Sequence, residues 1–463
     1  MSQRNAHLSS GLYSSPSQNK STRKSKAIHD TLSRNVFKNA QGQVISNDII
    51  HPITILVGID TSNHNAWTCL ESLAELKELA KTADLQTVDS LIQKREKAHS
   101  RYYIGTGKIE ELKALVETHK ATLIVTDDEL TPGQQKNLEE YLSIKVTDRT
   151  GLILDIFARR AQTREAQLQV ELAQLTYIRP RLTRMWQHLS RLGGGIGTRG
   201  PGETQLETDK RQVDQRIILI KTKIEKIKTQ RGILRKNRTI LPILTGALVG
   251  YTNAGKSTLL NQLTEAEVFV EDKLFATLDP TTRKLQLPNH ETVLLSDTVG
   301  FIQKLPHQLV NSFRTTIEEI TQANFILHIV DMSHPNYEGM LNTAEKTLKE
   351  LEIKDVPILM VFNKIDRCKD ITLDKIRLTE RFPHSVFISA TKKGNLTDLR
   401  LALIQLLDSY RETITFNIPY SRMDIVNLLH QYGHIIEEAY ETNITITTAI
   451  NRIIGNKIMG MLG

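Results

Sequence analysis

The sequence predicts a multidomain α/β chain, and three patterns carry that prediction. Strand-like and helical runs alternate across residues 51–160, the signature of an N-terminal parallel α/β domain with helices on the faces of its sheet. Two heptad-spaced apolar seams separated by a glycine run mark a long antiparallel helical hairpin over residues 161–240. Across 241–410 successive apolar runs each lead into a short polar motif, as in doubly wound α/β domains that bind ligands at strand ends. Residues 411–463 read as a small α+β C-terminal domain, with Ile414–Pro419 and Asn443–Thr447 strand-like, and residues 1–50 as a disordered basic tail.

At 463 residues the chain exceeds what one core usually organises. With 39% hydrophobic and 24% charged residues it is ordinary for a soluble protein. No apolar run reaches the roughly 18 residues that suggest a membrane span. The two cysteines, Cys69 and Cys368, have neither CxxC nor histidine spacing, which suits a reducing compartment and gives no zinc signal. The first 29 residues lack Asp and Glu and carry Arg4, Lys20, Arg23, Lys24 and Lys26. Without an apolar face, this segment is read as the tail of a cytoplasmic protein, with an organellar targeting segment as the alternative.

In the N-terminal part, strand-like Ile53–Ile59 and Ala121–Thr126 alternate with helical Ile109–Glu117 and Pro132–Tyr141. The first hairpin arm repeats Leu168, Leu175, Leu182 and Leu189, with Ile178, Met185 and Leu192 three positions on; Pro180 is expected to kink it. The second arm repeats Leu206, Val213, Ile220, Ile227 and Leu234, complemented by Ile217 and Ile224. Between them six glycines and Pro201 fall within Gly193–Gly202, so the chain must reverse there. A helix over Arg164–Arg191 would carry that loop roughly 40 Å outward. Residues 158–238 hold 19 Lys or Arg against 7 Asp or Glu, a net of +12, leaving −4 for the remainder. Such a concentrated charge fits a phosphate-rich partner better than a merely solvated helix face. The tip residues Gly193, Gly194, Gly195, Gly197, Arg199 and Gly200 are therefore candidate RNA contacts, with Arg184 and Arg191 nearby.

Chemistry concentrates in the third part. Leu248-Val249 runs into Gly250-Tyr251-Thr252-Asn253-Ala254-Gly255-Lys256-Ser257, the GxxxxGKS pattern, followed by helix-like Leu259–Leu263. Such a loop turns amides toward phosphate, Lys256 supplies charge to the β and γ phosphates, and Ser257 is a Mg²⁺ ligand. Asn363-Lys364-Ile365-Asp366 selects guanine, because the Asp366 carboxylate accepts from two guanine donors that adenine lacks. Lys364 is expected to lay its stem along the base, and Ser389-Ala390-Thr391 to bring the Ala390 amide near guanine O6. In Asp297-Thr298-Val299-Gly300, Asp297 would hold Mg²⁺ through water and Gly300 would sense the γ-phosphate. The first switch is placed at Phe275-Ala276-Thr277-Leu278-Asp279, with Thr277 completing the Mg²⁺ shell and Thr281 and Thr282 as competitors. These motifs describe a Ras-like P-loop G domain for GTP and GDP, with Lys256, Thr277 and Gly300 as its catalytic residues. Phe301 occupies the position where many GTPases carry a water-orienting Gln, so unaided hydrolysis should be slow unless a partner supplies the missing positioning. Asn253 either resembles the Asn of GTPases that recruit K⁺ or stabilises the loop.

The tract Gly193 to Glu207, the P-loop and Phe275–Pro280 closely resemble the HflX family of GTPases. So do Tyr103-Ile104-Gly105-Thr106-Gly107-Lys108, Ile109–Leu112 and Asp148-Arg149-Thr150 with Ile153–Phe157. The resemblance covers about residues 50–410. It implies binding to the large ribosomal subunit, a hairpin loop reaching the peptidyl transferase region, and separation of stalled or stress-inactivated ribosomes; the chain itself is expected to be a monomer, its oligomeric state being open. It also implies ATP handling in the N-terminal half, although Gly105-Thr106-Gly107-Lys108 is not a full P-loop. The C-terminal part is expected to contact a ribosomal protein. The competing function is a GTPase switch or scaffold in tRNA modification, which calls for a catalytic Cys or cofactor pocket. A membrane-remodelling GTPase is disfavoured, since the hairpin tip lacks an apolar anchor.

Overall fold

Strand β1, Ile53–Asp60, is buried along almost its whole length, as a strand covered by helices on both faces must be. It lies at the centre of a parallel sheet of order β2-β1-β3-β4, with β2 at Gln86–Lys94, β3 at Leu123–Thr126 and β4 at Lys145–Asp148. The computed structural model describes residues 51–61, 68–185, 201–238, 243–264, 274–289, 291–304, 319–351, 353, 356–408 and 411–462. The basic tail and Gly193–Gly200 lie outside them.

Four helices accompany this sheet: α1 at Cys69–Thr82, α2 at Thr106–His119, α3 at Pro132–Leu142 and α4 at Arg149–Arg160. Capping boxes fix two starts, Thr68 with Glu71 on α1 and Thr131 with Gln134 on α3. The sequence patterns did not mark β2, an edge strand whose less exposed positions Thr87 and Asp89 are polar.

Helix α5, Arg164–Met185, and helix α6, Pro201–Arg238, form the hairpin arms. Both seams face inward: Leu168 and Ile220 are buried, while Leu175, Ile178, Val213, Ile217, Ile224 and Ile227 are half-buried. Antiparallel pairs Glu171–Arg216 (2.7 Å) and Arg179–Asp214 tie the arms together. One expectation changes. Pro201 and Gly202 open the second arm instead of lying in the loop, because the first helical turn needs no N–H from proline. Helix α5 is continuous through Pro180, and Leu189, Arg191 and Leu192 lie outside the described residues.

The next sheet has the order β10-β9-β8-β5-β7-β6, from β5 (Leu244–Gly250), β6 (Thr281–Gln286), β7 (Thr292–Asp297), β8 (Phe325–Asp331), β9 (Ile358–Asn363) and β10 (Ser385–Phe387). Only β6 runs antiparallel, paired with β7. Helices α7 (Lys256–Thr264), α8 (Tyr337–Glu350), α9 (Thr372–Arg381) and α10 (Leu396–Asp408) follow in the same part of the chain. An antiparallel sheet of order β11-β13-β12 ends the chain: β11 Arg411–Ile418, α11 Met423–Tyr432, β12 His434–Tyr440, β13 Ile444–Asn451 and α12 Arg452–Leu462. Its buried face continues the core of the preceding sheet, joining Leu403 and Leu407 to Phe416, Ile446 and Ile458.

The two α/β parts meet through a shared apolar cluster, which joins Leu76 and Phe157 to Val249, Phe275 and Phe301, and through charge. Arg149, 1% exposed, donates to Glu75 (2.5 Å), Asp127 (2.6 Å), the Ser72 carbonyl (2.8 Å) and the Gln303 carbonyl (3.4 Å). Lys304 pairs with Asp127 and with Asp128, the latter at 2.5 Å. Burial raises the Asp127 carboxyl, but Arg149 and Lys304 outweigh it and leave its pKa below the ordinary value. The ionised form thus stabilises the fold above the unfolded carboxyl's pKa, about 4, and that contribution is lost as pH falls through the lower folded value. Asp127→Asn should cost about 1–3 kcal/mol at neutral pH by leaving Arg149 with Glu75 and Lys304 with Asp128 as their remaining charged partners, a deficit relative to wild type that shrinks in acid; urea melts across pH check both.

Candidate nucleotide-binding site

The phosphate loop is a backbone device. Gly250 and Gly255 adopt φ of +148° and +94°, and a Cβ on them would come within 2.2 Å of the Ile329 carbonyl and 2.3 Å of Asn363 Nδ2. Asn253 is left-handed at φ 60°, a conformation Asn tolerates, which gives it a conformational reason to be there. Helix α7 begins at Lys256, so its first amides face the loop. The Lys256 ammonium donates to the carbonyls of Tyr251 (2.8 Å) and Gly250 (3.2 Å), and burial lowers its pKa to about 8. Beneath the loop, β8 places His328 opposite Val249, where burial and then Lys256 lower its pKa to about 4; the imidazole is neutral.

Three hydroxyl and carboxylate groups converge beside it. Ser257 Oγ donates to Asp297 Oδ2 (2.6 Å), Thr277 Oγ1 donates to the same oxygen (2.9 Å), and the two hydroxyls lie 2.7 Å apart. Asp297 Oδ1 is buried without a hydrogen-bond partner. An all-oxygen cluster with an unsatisfied carboxylate oxygen fits a hard divalent cation. Thr282, one of the competitors of Thr277, instead shares a hydrogen bond with Ser296 (2.7 Å) on the β6–β7 ladder.

On the base side, Asn363 Nδ2 donates to the Ala254 carbonyl (2.9 Å) and Asn363 Oδ1 accepts from the Ala390 amide (3.0 Å). The amide assigned to guanine O6 is therefore engaged by Asn363. Lys364, left-handed at φ 64°, pairs through Nζ with Asp331 (2.7 Å), which fixes its stem. Asp366 accepts from Ser389 Oγ (2.6 Å), and that bond lowers its pKa. A cavity of about 300 Å³ is lined by Thr252, Asn253, Gly255, Lys256, Ser257, Thr258, Phe275, Ala276, Thr277, Thr298, Gly300, Asn363, Lys364, Arg367, Ala390 and Thr391.

Among curated proteins, the chain is 47% identical over 387 residues to "GTPase HflX" of Caldanaerobacter subterraneus subsp. tengcongensis, covering 84% of this chain and 88% of that one. The chain belongs to the HflX family of GTPases. It is 39% identical over 381 residues to the HflX of Escherichia coli K12, covering 82% and 89% of the two chains. Family profiles match as "GTP-binding GTPase N-terminal" over 70–158, "GTP-binding GTPase Middle Region" over 160–238 and "50S ribosome-binding GTPase" over 245–364. A crystal structure of a GTP-binding protein from the archaeon Sulfolobus solfataricus with GDP is 24% identical, with a TM-score of 0.42 over 76% of this chain and 98% of that one.

Within this HflX chain the site residues separate into groups. Gly250, Tyr251, Ala254, Leu278, Asp279, Asp297, Val299, Ile365, Asp366 and Ser389 do not line the cavity. Leu278 is buried in the core, and Asp279 faces the root of the hairpin. Phe301 is 6% exposed, its amide donating to the Gly250 carbonyl (3.0 Å) and its carbonyl accepting from the Thr252 amide (2.8 Å). It is a packing residue below the loop. Sequence reasoning missed Arg367 on the cavity wall, although it directly follows Asn363–Asp366, and the Tyr251 hydroxyl, which donates to Glu75 and accepts from the Gln303 amide (2.8 Å). Asn363→Ala would strand the Ala254 carbonyl and the Ala390 amide, at about 1–3 kcal/mol per buried group left unpaired. A lowered melting midpoint together with weaker GDP binding in titration calorimetry is the expected outcome.

Proposed function

We propose that this chain hydrolyses GTP to GDP and phosphate in a cycle coupled to the large ribosomal subunit, and that the GTP-bound form separates stalled or stress-inactivated ribosomes. The observation that carries the reading is the oxygen cluster of Ser257, Thr277 and Asp297 beside a glycine-shaped phosphate loop. Ser257 and Thr277 would hold Mg²⁺ directly and Asp297 through water, the ion neutralising charge on the β and γ phosphates. Lys256 is placed to exchange its loop carbonyls for phosphate oxygens. Gly300 has room for phosphate only because it lacks a side chain: a Cβ there would stand 2.7 Å from Thr252 Cα and 2.9 Å from Lys256 Nζ.

Phe301 is buried and has no hydrogen-bonding side chain, so nothing on it can orient the attacking water. Slow intrinsic turnover raised by a docked partner follows from that. The +12 charge of residues 158–238 and the glycine tract Gly193–Gly202 supply the ribosomal RNA contact in this proposal. The family profile over the G domain, described as "50S ribosome-binding GTPase", supports the same partner. The tRNA-modification alternative wants a reactive thiol. Burial, then Asp127, raises the Cys69 pKa to about 11, and burial raises that of Cys368. Among the described residues no helix is long and apolar enough to cross a membrane.

GTP hydrolysis should rise strongly on adding isolated large subunits, and removal of residues 193–202 should abolish the rise while leaving GTP binding intact. Asp366→Asn should weaken guanine-nucleotide binding about 10- to 100-fold, the scale of a charged hydrogen bond lost. No stimulation with GTP still bound would remove the ribosome from the reading and turn attention to tRNA-modifying partners.

A further inference from the structure

Thr277 lies between Phe275 and Leu278, both buried, and the segment is fastened to the end of α4 and to the elbow that joins α4 to α5. On one side Phe275, 2% exposed and held at φ 55°, packs edge-on against Phe157 of α4, ring centroids 4.6 Å apart. A non-glycine residue is held at positive φ only where its surroundings fix it. On the other side Asp279 Oδ2 accepts from the amides of Gln162 (2.9 Å) and Thr163 (3.1 Å), and Asp279 Oδ1 accepts a short hydrogen bond from Thr163 Oγ1. Thr163 starts the hairpin: its hydroxyl accepts from the Ala166 amide (3.1 Å) and its carbonyl from the Gln167 amide (3.0 Å), the pattern of a helix N-cap. Asp279 therefore places a carboxylate at the positive end of α5, a favourable position for it.

We propose that Asp279 is a positioning residue for GTP hydrolysis, latching the first switch to the root of the hairpin so that Thr277 is presented to the cation site only while the latch is closed. The inference rests on the assignment of Thr277 to the Mg²⁺ shell made above. The Phe275 anchor is dry, whereas the Asp279 hydrogen bonds are open to solvent and can exchange with water. A load on the hairpin thus opens the latch without unpacking the core. Coupling is reciprocal: closing the latch favours the cation, and the cation favours the closed latch.

The test is the Mg²⁺ concentration giving half-maximal single-turnover GTP hydrolysis by the full chain without ribosomes. Thr163→Val, remote from the nucleotide, and Asp279→Ala should each raise it about three- to tenfold, the scale of one or two modest hydrogen bonds. Thr163→Ser should behave as wild type, and the double variant should not exceed the larger single effect. Hydrogen exchange at residues 162–166 should slow with Mg²⁺ and a non-hydrolysable GTP analogue relative to GDP, and Asp279→Ala should remove that difference. Melting curves screen for misfolding, and Thr163→Val stands alone should Asp279→Ala not fold. A wild-type Mg²⁺ requirement in Thr163→Val, with a raised one in Thr277→Ala, would overturn the latch. An unchanged requirement in Thr277→Ala would show that the cation assignment itself had failed.

Discussion

Two neighbouring residues, Asp148 and Arg149, hold the parts of this protein in register. The Asp148 carboxylate, with no exposed surface, caps α4 through the Gly151 amide (2.8 Å) and accepts from Tyr177 (2.8 Å) and Arg181 (3.0 Å) of the hairpin. Arg181 also lies 3.5 Å over the Tyr177 ring. Arg149 points the other way, to Glu75, Asp127 and the carbonyl after the second switch motif. Buried ionic groups are expensive to remove from water and repay it only when every lone pair and proton is used. Here they are used, so neither contact can slip without leaving a charge alone in the interior.

That arrangement makes the N-terminal sheet and the hairpin root one body, with the nucleotide site attached to it at several points. The attachment is apolar and polar together: one buried cluster runs from Leu76 and Phe157 to Val249 and Phe275, Tyr251 of the phosphate loop reaches Glu75, and Lys304 reaches Asp127 and Asp128. The loop's own geometry is secured separately by Asn363, which bridges the Ala254 carbonyl and the Ala390 amide. Strand ends deliver the polar residues, because β5, β7 and β9 finish at Gly250, Asp297 and Asn363.

How much of this the sequence carried depends on the kind of interaction. The phosphate loop and the guanine motif were legible because their function needs particular residue types at fixed spacing over a few positions. The hairpin was legible because seven-residue periodicity persists over many turns. Strand β2 was not, since the less exposed positions Thr87 and Asp89 of this edge strand are polar. Asp148-Arg149-Thr150 stood out only as a family motif. Its partners Ser72, Glu75 and Asp127 lie 22 to 77 positions away, a separation no local pattern encodes. Asp279 was grouped with the nucleotide residues by its neighbours in sequence, and its bond to Thr163, 116 positions away, was not legible from them.

The body of sheet and hairpin thus touches the two switches through unlike contacts. Toward the second switch the link is a buried Arg149, held by Glu75 and Asp127 on its own side and reaching the Gln303 carbonyl across the joint. Toward the first switch, at Asp279, the donors are solvent-accessible and water can replace each of them as they part. On the proposed latch, a force arriving along the hairpin meets one joint closed to solvent and one open to it, and the open one yields. In that proposal the first switch, which carries Thr277, is the element the hairpin controls, while the phosphate loop and second switch stay on the N-terminal sheet.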